Sequence, residues 1–343
     1  MRDTVLVLGG YGAVGAPLTR ILRERLPGRV LPAGRRPAAS GDPGAVRADV
    51  RDPESFTALL VRHRVAVVVL CVEPPDAGIT RLCLERGVHV VDVNATPRLL
   101  AATEALHGTA VAGGASALVS VGVAPGLTNL LARRAHREVG GAERLDLAVL
   151  LGTGEAHGND ALRWTLESLG ETAKADGARP ARSRVEAFPL HGRRRAHPFP
   201  FSDQHALRTT LGVPEVTTRL CLDSRAATAA LFALRRPAHA LAPLLERMPH
   251  GALGAVGGAL GGDAFALRAE AVRGERRLVY ALTGREQSRV TAQVAAHATR
   301  AVLDGAARPG VHHLDQVLPG LVPDGARLWR RDTDGAAACG THM

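Results

Sequence analysis

Three glycines, Gly10, Gly12 and Gly15, follow the apolar run Thr4-Val5-Leu6-Val7-Leu8 with the spacing G-x-G-x-x-G. The chemistry served by that spacing is the cradling of a pyrophosphate. Gly10 would permit a tight turn, Gly12 would let phosphate approach the backbone, and Gly15 would let a helix pack close on the strand. Tyr11, Ala13 and Val14 complete the loop, and Val14, Leu18, Ile21 and Leu22 recur at helical spacing. The glycines therefore stand where a strand turns into a helix, whose positive N-terminal end would face the phosphates. About twenty residues further on, where an NAD-binding chain carries Asp or Glu for the ribose hydroxyls, this chain has Gly34-Arg35-Arg36. Two arginines without a carboxylate suit the 2′-phosphate of NADP, so NADP (NADPH) is the expected cofactor and NAD the lesser alternative.

A nicotinamide supplies hydride, and the protein must then supply geometry and a proton donor within hydrogen-bond reach. His157 lies in Gly154-Glu155-Ala156-His157-Gly158, ahead of a helix and beside Asp160, which could orient its ring. It is the first donor candidate, against the plainer reading of a surface histidine in a turn. His197, Asp203 and His205 form a second group, in a stretch that reads equally well as a loop anchored by Phe199 and Phe201. Asn94 and Asn129 could orient nicotinamide or substrate, or cap a helix or turn. Asp49, at the end of a strand, and Cys71, opening the loop after another, lie on the same expected edge and join the cofactor set. His312 and His313 read as exposed. There is no G-x-S-x-G, H-E-x-x-H or C-x-x-C. Lys174, the only lysine, has Gly170 and not tyrosine four residues before it, which excludes the Tyr-x-x-x-Lys pair of short-chain reductases.

The elements that must position these residues alternate. Strands are expected over about 4–8, 29–33, 45–49, 65–70, 88–93 and 117–121. Helices are expected to begin after the glycine loop, at Asp52-Pro53, near 76, at 97–107 and from Pro125. Strict alternation means a doubly wound parallel sheet, whose loops converge at the carboxyl edge of the strands. After about residue 140 the alternation is lost. Strands over 145–151 and 216–222 (the latter half-exposed) and a hairpin around Arg273-Gly274-Glu275-Arg276 mix with helices near 160–169, 226–234 and 288–303. The stretches 173–184 and 251–262 read as a loop and a connection. The expected fold class is α/β: an N-terminal Rossmann doubly wound sheet over 1–130 and a mixed α+β domain over 131–300. A segment over 301–330 returns to the first domain, and a disordered tail covers 331–343.

A length of 343 residues with 46% hydrophobic content suits two globular domains. The formal net charge of +10 invites a nucleic-acid reading, but the basic residues are almost all arginine and are scattered through the chain. Aromatic residues make up only 3%, too few for a base-stacking platform. The expectation is a small-molecule substrate, with no nucleic acid and no membrane. The four cysteines fall in no metal spacing, so no metal is expected, and a reduced, cytoplasmic chain without a leader fits them best.

Four stretches resemble the saccharopine dehydrogenase-like family: Gly9-Gly10-Tyr11-Gly12, Gly34-Arg35-Arg36, Gly87-Val88-His89-Val90-Val91-Asp92-Val93 and Val123-Ala124-Pro125-Gly126-Leu127-Thr128-Asn129. Leu303-Asp304-Gly305 with Pro309-Gly310-Val311 is similar to the family's closing helix and turn. The resemblance implies an NAD(P)-dependent Rossmann domain and an inserted mixed-sheet domain for substrate and dimerisation, hence a homodimer. It also implies hydride transfer at a C=N bond of an amino-acid- or polyamine-derived substrate. Carbonyl or enoyl reduction, and a non-catalytic NADP-binding regulator, are the alternatives. Ala124 stands where saccharopine-type members often carry Asp. The stretch from Glu155 to Thr165, with Arg163 and Trp164 as substrate candidates, is closer to uncharacterised relatives.

Overall fold

The computed structural model describes residues 3–37, 41–42, 44–154, 165, 168–169, 182–233, 261–332 and, as backbone, 337–340. Two compact units result: Met1–Gly126 with Ser288–Leu321, and Leu127–Gln287 with Val322–Met343.

The first unit is built on the strand β4 (Val65–Leu70). All six of its residues are buried, as a continuous apolar run requires when a parallel strand is covered on both faces. It pairs with β1 (Thr4–Leu8) and β5 (His89–Asp92). The remaining strands are β2 (Val30–Gly34), β3 (Val46–Arg47), β6 (Ser116–Val119) and β13 (Gly310–His313), giving the order β13-β6-β5-β4-β1-β2-β3. Every pairing is parallel, and β3 to β6 stand in Rossmann order. Helices α1 (Gly15–Arg25), α2 (Pro53–Arg62) and α3 (Gly78–Glu85) connect them. Helix α2 starts as its sequence dictates: Asp52 accepts from the Ser55 N–H at 3.1 Å, and proline takes the first helical position. Phe56 and Leu60 bury its inner face with Leu6, Leu8, Val68 and Leu70.

Several boundaries differ from expectation. The third strand is cut to Val46–Arg47 because Asp49 opens a turn, accepting from the Arg51 N–H. The helix expected over 97–107 is two, α4 (Pro97–Glu104) and α5 (His107–Ala112). Helix α6 begins at Thr128 and not at Pro125, because Ala124, Pro125 and Gly126 all have non-helical backbone angles.

The second unit holds an eight-stranded sheet of order β15-β14-β12-β11-β7-β10-β9-β8. It comprises β7 (Arg144–Leu151), β8 (Arg184–Phe188), β9 (Gly192–Pro198), β10 (Glu215–Leu222), β11 (Ala264–Arg273), β12 (Arg276–Arg285), β14 (Arg327–Asp332) and β15 (Ala337–Gly340). Among the described residues only β7 and β10 pair in parallel, so the sheet is mixed. The hairpin at Gly274 forms as expected. Strand β10 is not half-exposed: it lies between β7 and β9 with Thr218 and Arg219 buried. Within the stretch around His197, that residue lies at the end of β9, Phe199 and Phe201 are buried against each other in a short loop, and the helix Asp203–Leu211 follows. The tail is ordered into strands as far as Asp332, and residues 337–340 pair antiparallel with β14. Of the helix expected over 160–169, Thr165, Ser168 and Leu169 are described and helical. The loop at 173–184 and the connection at 251–262 fall mostly outside the described residues.

The chain is α/β overall, with a Rossmann-type parallel sheet and a second, mixed-sheet domain. Among the described residues no helix is long and apolar enough to cross a membrane. Leu6 is fully enclosed at the centre of the first sheet. Leu6→Ala should lower unfolding stability by about 2–5 kcal/mol in urea titration, the range for a large aliphatic group lost from a core.

Candidate functional site

The strand-to-helix turn after β1 is held by backbone contacts that no side chain could share. The positive φ of the turn, +75°, falls on Gly9 and not on Gly10, which carried that role in the sequence reading. Gly10 is glycine for space, since a Cβ there would stand 2.7 Å from the Cα of Pro32 on β2. A Cβ on Gly15 would stand 2.0 Å from the Gly9 carbonyl oxygen, so the close approach at Gly15 is to the loop itself. Gly12 donates to that same oxygen at 2.9 Å, and Thr19 closes the turn by donating to the Gly10 carbonyl at 3.0 Å. Gly12 is exposed, and a Cβ on it would meet only the Gly9 oxygen, at 3.3 Å. Helix α1 has no side-chain cap at Val14 and no acid in its first turn. An open glycine face and an uncapped helix N-terminus are what a pyrophosphate needs.

At the end of β2, Arg35 and Arg36 are exposed, with no hydrogen-bond or ion-pair partner among the described residues. Tyr11 reaches over the same strand end, and its buried hydroxyl has no hydrogen-bond partner among the described residues. That orphaned hydroxyl, the cradle over Gly12 and the two free guanidinium groups fit a dinucleotide with a charged adenosine ribose. Asp49 is committed to its own turn.

The next loops along the carboxyl edge are clipped together by Asp92, which the sequence reading did not single out. Its Oδ1 accepts from the Asn94 N–H at 2.9 Å and from Asn94 Nδ2 at 2.6 Å, while Nδ2 also donates to the Val72 carbonyl at 3.0 Å. Asn94 thus ties the loop after β5 to the loop after β4. Burial pushes the Asp92 carboxyl up to about 6 against the two Asn94 bonds, with the Glu73 charge adding to the rise. Burial, then the Asp92 charge, pushes the Cys71 thiol up to about 12, so it is protonated near neutral pH and no nucleophile. An acid closing a buried apolar strand, Val90-Val91-Asp92, is the sequence signal that could have found this clip.

A second group was missed entirely. His313 is not exposed: it is buried at the end of β13. Ser120, fully enclosed just after β6, lies 2.9 Å from His313 Nδ1, and Glu104 lies 3.0 Å from Nε2. The Gln316 side chain accepts from the His313 N–H at 2.9 Å. The Ser120 hydroxyl is sealed from solvent, so the trio joins α4, β6 and β13 and offers no nucleophile to a substrate.

In the second unit, Asn129 and Asp203 come together around Thr128. Thr218 donates to Asp203 Oδ1 at 2.7 Å, and Thr128 contacts both Asn129 (3.3 Å) and the Asp203 carboxyl. Asp203 is fully buried, which pushes its carboxyl up to about 6 against the bonds from Thr218, Thr128 and the Gln204 N–H. It fastens the helix Asp203–Leu211 to β10 and α6 and does not face solvent as a proton donor would. His197 lies on β9, its ring stacked on Phe232 at 4.3 Å between centroids, and His205 is exposed on the helix. Gly154 is not free to approach a ligand: it donates to the Gly262 carbonyl at 2.9 Å, and the Gly261 oxygen lies 2.0 Å from where its Cβ would be. His157, Asp160, Arg163 and Trp164 lie outside the described residues. Among the described residues no group of three or more His, Cys, Asp or Glu could hold a metal ion.

The family model described as "Saccharopine dehydrogenase NADP binding domain" matches residues 5–118. Those residues are therefore similar to a saccharopine dehydrogenase-type NADP-binding domain. The matched stretch runs from β1 into β6 and contains the glycine turn, the arginine pair and the Asp92 clip. It supports an NAD(P)-dependent oxidoreductase. A search of the curated proteins finds no match. Among solved structures, an engineered D-amino acid dehydrogenase bound to NADP+ is 16% identical, covering 93% of this chain and 95% of its own, with a TM-score of 0.49. GenD2 from gentamicin A biosynthesis, in complex with NAD, is 17% identical, covering 93% and 90%, with a TM-score of 0.45. Dipicolinate-bound dihydrodipicolinate reductase from Paenisporosarcina sp. TG-14 is 10% identical, covering 94% and 100%, with a TM-score of 0.43. Likeness of this degree decides neither substrate nor cofactor preference.

The raised Asp203 carboxyl has a consequence for stability. Its folded pKa, about 6, exceeds the ordinary carboxylate value, so its contribution is complete below about pH 4 and is lost as pH rises to about 6. The stability of the unmodified protein relative to Asp203→Asn should fall by on the order of 2–3 kcal/mol across that interval and stay level above it, as read by urea unfolding at each pH.

Proposed function

We propose that the protein is an NADPH-preferring oxidoreductase that transfers hydride to or from the C=N bond of a small imine derived from an amino acid or polyamine. The observation that carries the cofactor half is the pair Arg35 and Arg36, exposed and unpaired among the described residues, at a strand end without a carboxylate. The bound cofactor would supply the hydride. The Gly12 face and the α1 N-terminus would hold its pyrophosphate, and the two guanidinium groups its 2′-phosphate. The Asp92–Asn94 clip would keep the loops after β4 and β5 in register beside it. The substrate half rests on the resemblance. Ala124, in place of the acid common in saccharopine-type members, favours carbonyl or enoyl reduction as the second reading. For the proton donor we take His157, on its sequence context, now that Asp203 is enclosed. The same resemblance supports a homodimer, and the free thiols Cys71, Cys83 and Cys221 support a reduced, cytoplasmic setting.

Fluorescence titration should show NADPH binding more tightly than NADH. Arg35→Ala with Arg36→Ala should narrow the gap at least tenfold, the scale of one lost charge-assisted contact at about 1.5–3 kcal/mol. Equal affinities in the unmodified protein would overturn the NADPH preference. NADPH consumption should then be followed with imines, amino-acid semialdehydes, ketones and enones. Turnover of imines alone supports the C=N reading, turnover of ketones or enones the second, and tight binding without turnover a regulator. On whichever substrate is consumed, His157→Gln should lower kcat by about 100-fold or more, the lower end of general acid–base effects, with NADPH affinity unchanged.

A further inference from the structure

We propose that Tyr11 is a specificity-determining residue, donating its phenol hydroxyl to the ribose 2′-phosphate, and that residue 34 is glycine in order to seat that ring. The inference rests on the NADP reading above and extends it to residues outside the arginine pair.

Tyr11 is the variable residue between Gly10 and Gly12, so its backbone is fixed by the turn and its ring can reach only what lies beside the turn. It reaches the last residue of β2. A Cβ on Gly34 would stand 2.1 Å from Oη and 2.6 Å from Cζ, so any larger residue would displace the ring. Gly34 needs no left-handed backbone, which leaves this contact as the reason for glycine. The hydroxyl that is seated so closely has no partner among the described residues and is shielded from water. Burying a hydroxyl unbonded is unfavourable, and a tight seat for an unsatisfied donor makes physical sense if a ligand atom completes it. The residues that follow directly are Arg35 and Arg36. In such surroundings a bond from a neutral donor to a phosphate oxygen is stronger than the same bond in water.

The ground beside Tyr11 is also prepared for an anion. A cleft of about 470 Å³ opens there, walled in part by Tyr11, Thr19, Arg20, Arg23 and Asp42. Asp42 would repel a phosphate if it were free. Instead Arg23 binds it at 2.6 Å and the Gly44 N–H donates to it at 2.8 Å, which together hold its carboxyl below the usual range. Arg20, across the same cleft, has no ion-pair or hydrogen-bond partner among the described residues. The cleft beside the Tyr11 ring therefore offers Arg20 as an unspent cation, and of its two acids, Glu24 and Asp42, the second is already paired.

The full chain would be titrated with NADPH and NADH by fluorescence, and with adenosine 2′,5′-bisphosphate and 5′-AMP by displacement of NADPH. Tyr11→Phe should weaken NADPH and the bisphosphate about tenfold and leave NADH and AMP within about threefold, the unchanged pair showing that the turn is intact. Gly34→Ala, which pushes the ring aside, should move the same two ligands in the same direction. If Tyr11→Phe preserves the preference for the 2′-phosphate, or weakens all four ligands equally, the proposal is overturned while the arginine-based reading stands. If the unmodified protein shows no preference for the bisphosphate over AMP, the NADP reading fails and takes this inference with it.

Discussion

The contact between the Gly9 carbonyl and the backbone of Gly15 governs the first unit. Within one turn of chain, that oxygen accepts from Gly12 and lies where any Cβ on residue 15 would have to be. This forces α1 to start immediately after β1, directs its N-terminus at the carboxyl edge, and brings Gly10 against Pro32 on β2. The same edge carries the arginines at the end of β2, the Cys71 loop at the end of β4 and Asp92 at the end of β5, brought there by the parallel registers of those strands. The open face of the glycine turn is thus a by-product of how closely two pieces of backbone must pass.

Charge is handled differently in the two units. In the first, Arg20, Arg35 and Arg36 stand exposed with no hydrogen-bond or ion-pair partner among the described residues. In the second, Asp146, Glu186 and Glu270 are buried and each meets guanidinium groups: Arg219 on Asp146 at 2.7 Å, Arg268 on Glu186 at 3.0 Å and on Glu270 at 2.8 Å. Arg184 reaches all three acids. Removing one partner would leave a buried charge uncompensated, which is far more costly than the pair is stabilising. Part of the large arginine content is therefore internal to a mixed sheet, which is why an overall positive charge need not mean a polyanion partner.

How much could be read in the sequence depended on how local each cause was. Val65–Leu70 was legible because burial on both faces writes a continuous apolar run, and α2 because Asp52-Pro53 is a local start signal. The glycine loop was legible as a motif, but the exchange of roles between Gly9 and Gly10 was not, since φ leaves no mark in the residue type. Strands β8 and β9 were hidden by Arg193, Arg194 and Arg195, whose charges mask the alternation of an outer hairpin. His313 read as exposed because its partners, Ser120 and Glu104, are about two hundred positions away in sequence. Asn94 and Asp203 had the right residue types for a site. Whether such a group meets a ligand or a neighbour is settled by tertiary packing alone.

The edge strand β13 sets a condition on the order of events when the chain is made. It completes the first sheet by pairing with β6, and the Ser116 hydroxyl donates to the carbonyls of Ala307 and Arg308, 191 and 192 positions downstream. A ribosome releasing the chain from its N-terminus delivers the whole nucleotide-binding half long before that strand exists. Until it arrives, the rim of β6 is an open template for any other strand, the kind of surface that aggregates or recruits chaperones. The second domain must be threaded out, and its own long-range pairings begun, while the first waits unfinished.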